Sequence, residues 1–130
     1  GRGGNDLIVG KVGDDTLNGG DGNDRLFGNS GSDRLNGGHG NDVMTGQQGI
    51  DIYEFDMAPG RDSITDFTTG EDILDVSGFF GDFGEVQAAT VDVNGNAQIT
   101  FGPGGNFLTL IGVTEAQLSS SDFDFGPPSM

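Results

Sequence analysis

Broken every nine residues, positions 1–54 read GRGGNDLIV, GKVGDDTLN, GGDGNDRLF, GNSGSDRLN, GGHGNDVMT and GQQGIDIYE, and the register never slips. Position one is Gly1, Gly10, Gly19, Gly28, Gly37 and Gly46; position four is Gly4, Gly13, Gly22, Gly31, Gly40 and Gly49. Position six is Asp6, Asp15, Asp24, Asp33, Asp42 and Asp51, and position eight is large and apolar throughout: Ile8, Leu17, Leu26, Leu35, Met44 and Tyr53. A fixed short period marks a stacked repeat architecture. Each block divides into a six-residue glycine-rich turn and three extended residues with an apolar centre. Two blocks then close one coil, with strands on opposite sides and both position-eight side chains pointing inward.

The composition alone resembles that of a disordered segment. Of 130 residues, 26 are Gly, and 21 acids face 5 basic residues for a net charge of −16 with 32% hydrophobic content. Low hydrophobicity with high charge describes a solvated chain, but disorder has no reason to hold four columns in register. The charge also excludes partners. Phosphate backbones and anionic lipid surfaces repel such a chain, so no nucleic acid is expected to bind it. No apolar run approaches the about 20 residues that span a bilayer, so no membrane insertion is expected. Without Cys there is no disulfide framework, thiol chemistry or thiolate metal site.

A coil this narrow has almost no core, and one inward side chain per block buries too little apolar surface to order the six blocks unaided. Stacking adds a charge problem, because residues two blocks apart become neighbours. Asp6 lies beside Asp24, Asp15 beside Asp33, Asp24 beside Asp42, and Asp33 beside Asp51. Like charges at that range need a cation between them. Two carboxylates and several carbonyls exposed by glycine turns make an all-oxygen cage of about six ligands, which suits Ca²⁺ better than Mg²⁺ or a transition metal. Other motifs fail on spacing. An EF-hand loop starting at Asp21 needs Gly in sixth place and an acid in twelfth, where the chain has Leu26 and Ser32. No G-x-G-x-x-G follows a credible strand. Carboxylate pairs serve glycosidases, but pairs repeated identically down a stack suit structural metal binding. No catalytic residue and no enzyme activity are expected of this chain.

The blocks match GGxGxDxUx, with U large and apolar, and resemble the calcium-binding nonapeptides of RTX (repeats-in-toxin) proteins, the parallel β-roll of serralysin-type proteases, lipases and alginate epimerases. The resemblance implies a ligand set. One turn gives its Asp and the carbonyls of positions two and four; the turn two blocks later gives its Asp and the carbonyls of positions one and three. The first site then comprises Arg2, Gly4, Asp6, Gly19, Asp21 and Asp24, and the second Lys11, Gly13, Asp15, Gly28, Ser30 and Asp33. The third comprises Gly20, Gly22, Asp24, Gly37, His39 and Asp42, and the fourth Asn29, Gly31, Asp33, Gly46, Gln48 and Asp51. Arg2, Lys11, Asn29 and Gln47 depart from Gly at position two; since a carbonyl is the ligand there, backbone strain and weaker sites are expected, not missing ones.

From Phe55 onward, twelve acids face only Arg61, and eight of the ten Phe lie beyond residue 60. This half can build a conventional core. Gly60-Arg-Asp62-Ser-Ile64 and Gly70-Glu-Asp72-Ile-Leu74 keep G-x-D-x-U with stretched spacing and read as degenerate turns closing the roll. Asp62 and Asp72 complete sites with Asp42 and Asp51, which brings Gly38 and Gly40 into the candidate set; the alternative is that both acids solvate a cap. Thr90 to Val93 and Ala97 to Phe101 flank the turn Asn94-Gly95-Asn96, a hairpin signal. Phe107 to Ile111 alternates as a strand, Thr114 with Gln117 resembles a capping box, and Asp122-Phe123-Asp124-Phe125 reads as a final strand.

The expected fold class is all-β: a right-handed parallel β-roll of about three coils over 1–54, degenerate turns and a β-rich cap over 55–126, and a tail over 127–130. Segment 60–78 also resembles the region after the repeats in RTX exoproteins, where the cap nucleates calcium-driven folding and carries a type I secretion signal. The resemblance therefore implies a module that binds Ca²⁺ at about four well-defined sites and up to six, folds outside the cell, and stabilises an attached exoprotein. The implied partners are an upstream domain of a parent protein and the type I secretion machinery, in a secreted, extracellular setting. Because the chain starts on the first residue of a repeat, it is expected to be a piece of a larger protein. A polysaccharide-binding module is the alternative, although Arg25 and Arg34 fall on opposite faces and form no basic ladder.

Overall fold

The computed structural model describes residues 3–55, 59–102 and 104–126. Arg2 and the tail residues 127–130 lie outside the described residues. Each block places a three-residue strand where the apolar centre falls: β1 (Leu7–Val9), β2 (Thr16–Asn18), β3 (Arg25–Phe27), β4 (Arg34–Asn36), β5 (Val43–Thr45) and β6 (Ile52–Glu54). Odd strands pair in parallel in one sheet and even strands in the other, in the two-block register that puts Leu26 on Ile8 and Leu35 on Leu17. Leu26, Leu35, Met44 and Tyr53 are fully buried between the sheets, a core one side chain deep from each wall.

The degenerate turns add β7 (Arg61–Ile64) and β8 (Ile73–Asp75), a fourth coil after the three made by strict repeats. Ile64 lies on Met44 and Leu74 on Tyr53, although each pair is spaced more widely in sequence than two blocks of the strict repeat. The inward column sets the register, and the extra residues are taken up in the turns.

The chain then folds the short helix α1 (Phe83–Ala88) and the strands β9 (Thr90–Val93), β10 (Asn96–Thr100), β11 (Phe107–Leu110) and β12 (Phe123–Asp124). The hairpin β9–β10 turns on left-handed Asn94 (φ 53°) and Gly95 (φ 81°), the backbone that Asn-Gly favours. β11 pairs antiparallel with β10 and parallel with β7, while β12 pairs parallel with β8, so the cap lays a fifth rung on both walls. Phe101 is its centre, with ring centroids of Phe79 at 4.7 Å, Phe55 at 5.1 Å and Phe80 at 6.0 Å. Helix α1 is absent from the sequence reading because Gly81 and Gly84 hide its start. Its signal is Asp82 with Glu85: the Glu85 amide donates to Asp82 Oδ1 at 2.9 Å, and the Gly81 amide donates to Glu85 Oε1 at 2.5 Å. The last strand is shorter than Asp122 to Phe125, because Asp122 closes a 3-10 turn over Ser120–Asp122 and accepts the amides of Ser119 and Gly70 at 2.8 Å each.

Candidate metal centres

The columns of the sequence become rows along the two edges of the roll. At position four, Gly22 holds φ +102°, and a Cβ there would run into the carbonyl oxygen of Gly4 one coil above. Position one has a different reason for Gly. A Cβ on Gly28 would lie 2.6 Å from Asp33 Oδ2 and 2.8 Å from the carbonyl oxygen of Gly46. The missing side chain therefore leaves a cradle in which a carboxylate oxygen and the carbonyl of the next coil converge. Gly10 repeats the arrangement with Asp15 Oδ2 and the Gly28 carbonyl, and Gly19 with Asp24 Oδ2 and the Gly37 carbonyl.

The aspartates form an unbroken ladder. The amide of Asp6 donates to Asp24 Oδ1 at 2.8 Å, Asp15 to Asp33 at 2.8 Å, Asp24 to Asp42 at 2.8 Å, and Asp33 to Asp51 at 3.0 Å. The ladder continues through the degenerate turns, from Asp42 to Asp62 at 2.9 Å and from Asp51 to Asp72 at 3.0 Å. Asp62 and Asp72 are thus buried under the repeats rather than solvated. Oδ1 of Asp24, Asp33, Asp42, Asp51, Asp62 and Asp72 is used this way. Among the described residues, Oδ2 of Asp6, Asp24, Asp33, Asp42 and Asp51 is buried with no hydrogen-bond partner.

Unpartnered buried carboxylate oxygens are costly unless the group takes a proton or a cation. Burial pushes the carboxyls of Asp33 and Asp72 up, that of Asp42 to about 6, that of Asp51 to about 7 and that of Asp62 to about 8; neighbouring acids add to the effect, Asp24 on Asp42, Asp72 and Asp33 on Asp51, and Asp42 on Asp62. Orphaned oxygens set in glycine cradles beside carbonyls fit a hard divalent cation such as Ca²⁺. Among the described residues no three His, Asp or Glu side chains converge on one point, so backbone carbonyls would complete each cage. Asp21 and His39 agree with this, since their side chains are exposed at position three.

The structure separates the position-two departures. Asn29 (φ 66°) and Gln47 (φ 67°) adopt the left-handed backbone of Gly20 (φ 83°) and Gly38 (φ 82°), with the strain expected of non-glycine residues. Lys11 does not, and its amide donates to Asp15 Oδ2 at 2.9 Å.

Two features escaped the sequence reading. Position five carries a second ladder running the opposite way: Asn23 donates to Asn5 Oδ1 at 2.8 Å, Asn41 to Asn23 at 2.8 Å, and Arg61 to Asn41 at 3.0 Å. The signal was Asn in alternate blocks, which reads as ordinary turn composition. Asp66 sits outside every column, yet it accepts the amides of Gly46 and Gln47 at 3.0 and 2.7 Å. In the strict repeat the position-one amide bonds a strand carbonyl instead, as Gly28 does to Thr45.

Stretches 1–35 and 18–53 match the RTX calcium-binding nonapeptide repeat, in four copies. Residues 1–53 are RTX calcium-binding repeats. Solved structures agree with an RTX roll. The AlgE6R3 subunit of the Azotobacter vinelandii mannuronan C5-epimerase is 27% identical at a TM-score of 0.77, over 97% of this chain and 81% of that one. The AlgE6R2 subunit is 29% identical at 0.66, over 95% and 94%. The extracellular lipase LipA of Serratia marcescens is 27% identical at 0.60 over 92% of this chain, which spans 21% of the lipase. No curated protein sequence matches the chain. RTX repeats are a calcium-binding rather than a catalytic type of module.

Proposed function

We propose that this RTX roll is a calcium-dependent folding module of a secreted protein. The observation that carries the reading is the set of five buried Oδ2 atoms without partners, in a ladder whose position-one glycines leave room for a cation. The protein alone orders its turns by the Asp and Asn ladders but leaves a file of carboxylates facing one another. Bound Ca²⁺ supplies the positive charge and oxygen coordination that those carboxylates lack. The Asp6–Asp24, Asp15–Asp33, Asp24–Asp42 and Asp33–Asp51 pairs, with the carbonyls of positions one to four, form four sites; Asp42–Asp62 and Asp51–Asp72 offer two more.

Extracellular calcium modules bind with dissociation constants on the order of 10⁻⁴ to 10⁻³ M, so such a roll stays open at cytosolic calcium and closes outside. That behaviour suits export of an unfolded chain through a type I system and stabilisation of whatever domain is attached. The family of the repeats and the extracellular lipase among similar structures support this setting. Circular dichroism in EDTA followed by calcium titration tests the reading. At pH 8.5, where the buried carboxyls are ionised, β structure appearing only above about 10⁻⁵ M free calcium is expected; full β structure in EDTA at that pH overturns it.

One observation favours polysaccharide binding as a second activity. A groove of ≈ 620 Å³ runs along the even-block turns, lined by Asn29, Ser30, Gln47, Gln48, Thr68 and Glu71. Amide and hydroxyl groups in a row suit the hydroxyls of a neutral glycan. Retardation in affinity gels containing neutral polysaccharides, lost in Gln48→Ala, tests it, and unchanged mobility across a panel of such gels removes it.

A further inference from the structure

The four repeat sites are not equivalent, and the difference lies in one backbone amide. In the turns with left-handed position two, at Gly20, Asn29, Gly38 and Gln47, the Asp of the same turn keeps its Oδ2 unpartnered: Asp24, Asp33, Asp42 and Asp51. Within the strict repeats, Lys11 is the described position-two residue outside the left-handed region, and there the oxygen is taken: the Lys11 amide bonds Asp15 Oδ2 at 2.9 Å, as the Thr68 amide bonds Asp72 Oδ2 at 2.9 Å in the degenerate turn before β8. Asp15 Oδ2 is also the oxygen that, with the Gly28 carbonyl, would line the cradle of Gly10.

We infer that Lys11 is a latch on the second site, the one between the turns at 10–15 and 28–33, and that this is the last and weakest of the four repeat sites to fill. The inference rests on the calcium reading above. A cation can use Asp15 Oδ2 only after the Lys11 amide lets go, and turning Lys11 into the backbone of its counterparts forces a long side chain into the left-handed region. The site therefore binds about tenfold or more weakly than those headed by Gly20 and Gly38. At intermediate calcium the second edge of the first coil stays open while the third and fourth repeat sites are closed.

Isothermal titration calorimetry of the full chain with CaCl₂ tests this, supported by amide NMR. In the wild type, the Lys11 and Asp15 amides are expected to shift only in the final step of the titration. Lys11→Gly and Lys11→Asn permit the left-handed turn and should each convert one weak equivalent into a tight one. Lys11→Ala removes the charge without freeing the backbone and should leave the count of tight equivalents unchanged. If Lys11→Ala gains the tight site as fully as Lys11→Gly, the effect is one of charge and the latch is refuted. Identical isotherms for wild type, Lys11→Gly and Lys11→Asn refute it as well. A wild type that binds no calcium would instead overturn the calcium reading itself.

Discussion

The two edges of the roll are made from alternate copies of one nonapeptide, yet they are fastened differently. On the first edge, at turns 19–24 and 37–42, position two is Gly20 or Gly38 and position five runs as an Asn ladder from Asn5 to Arg61. On the second edge, position two is Lys11, Asn29 and Gln47. Among the described residues its position-five ladder is a single bond, from the Ser32 amide to Asp14 Oδ1 at 2.8 Å, and Ile50 has no side-chain acceptor for the rung that would follow its own. The Asp ladder is equally complete on both. The carboxylate column is thus the invariant demand, while glycine and asparagine around it set how easily each turn reaches the binding geometry.

Substitutions can break that contrast, most strongly at the aspartates. Asp24→Ala removes a carboxylate shared by two first-edge sites and should lose about two equivalents of calcium, with the folding midpoint rising at least about tenfold, roughly 1.4 kcal/mol. Asp33→Ala on the second edge should cost less, since one of its two sites is already latched. Equilibrium dialysis of both variants checks the order, and equal losses would mean that the edges are equivalent.

Protons should partly replace calcium. Burial raises the carboxyls of Asp42 to about 6, Asp51 to about 7 and Asp62 to about 8, against 3.8 in the unfolded chain. The folded state therefore binds protons that the unfolded state releases, and its stability in EDTA is fullest below about pH 4 and is lost as pH rises through 6 to 8. More β structure at pH 5 than at pH 8.5 in EDTA is the expected circular-dichroism result. Calcium binding at pH 7 should expel protons, read from calorimetric enthalpies in buffers of different ionisation heat.

Smaller effects sharpen the comparison. Asn23→Ala removes the acceptor for Asn41 on the first edge and should lower stability in saturating calcium by about 1 kcal/mol. Ser32→Ala on the second edge should change it by less than about 0.5 kcal/mol, because the Ser32 amide remains in place to bond Asp14. Gln47→Gly relieves a left-handed non-glycine residue and should raise stability by about 0.5 kcal/mol. Thermal melts of the three variants rank them.

The strands, the inward column and the carboxylate pairs were legible because each depends on residues at a fixed offset of two blocks. The hairpin was legible because Asn94-Gly95 encodes its own backbone. Lys11 was not, since residue type says that a left-handed turn is strained but not whether the chain accepts or avoids the strain. Nor were the Asp66 bonds to Gly46 and Gln47 or the parallel pairing of β11 with β7, which join distant parts of the chain with no period to announce them. The two 3-10 turns of the cap were half legible: Thr114 and Gln117 do bond as expected, at 2.8 Å, while Asp122 was taken up by Ser119 and Gly70.

The two stretched coils beside the cap keep Ile64 on Met44 and Leu74 on Tyr53. The pitch of the roll is therefore fixed by its rungs, and the turns next to the cap behave as slack cable between them. One extra residue between Gly19 and Asp24, where the strict repeat makes no such allowance, would shift every carboxylate above it away from its partner. The molecule thus has one end where the spacing along the chain is elastic and one that only counts.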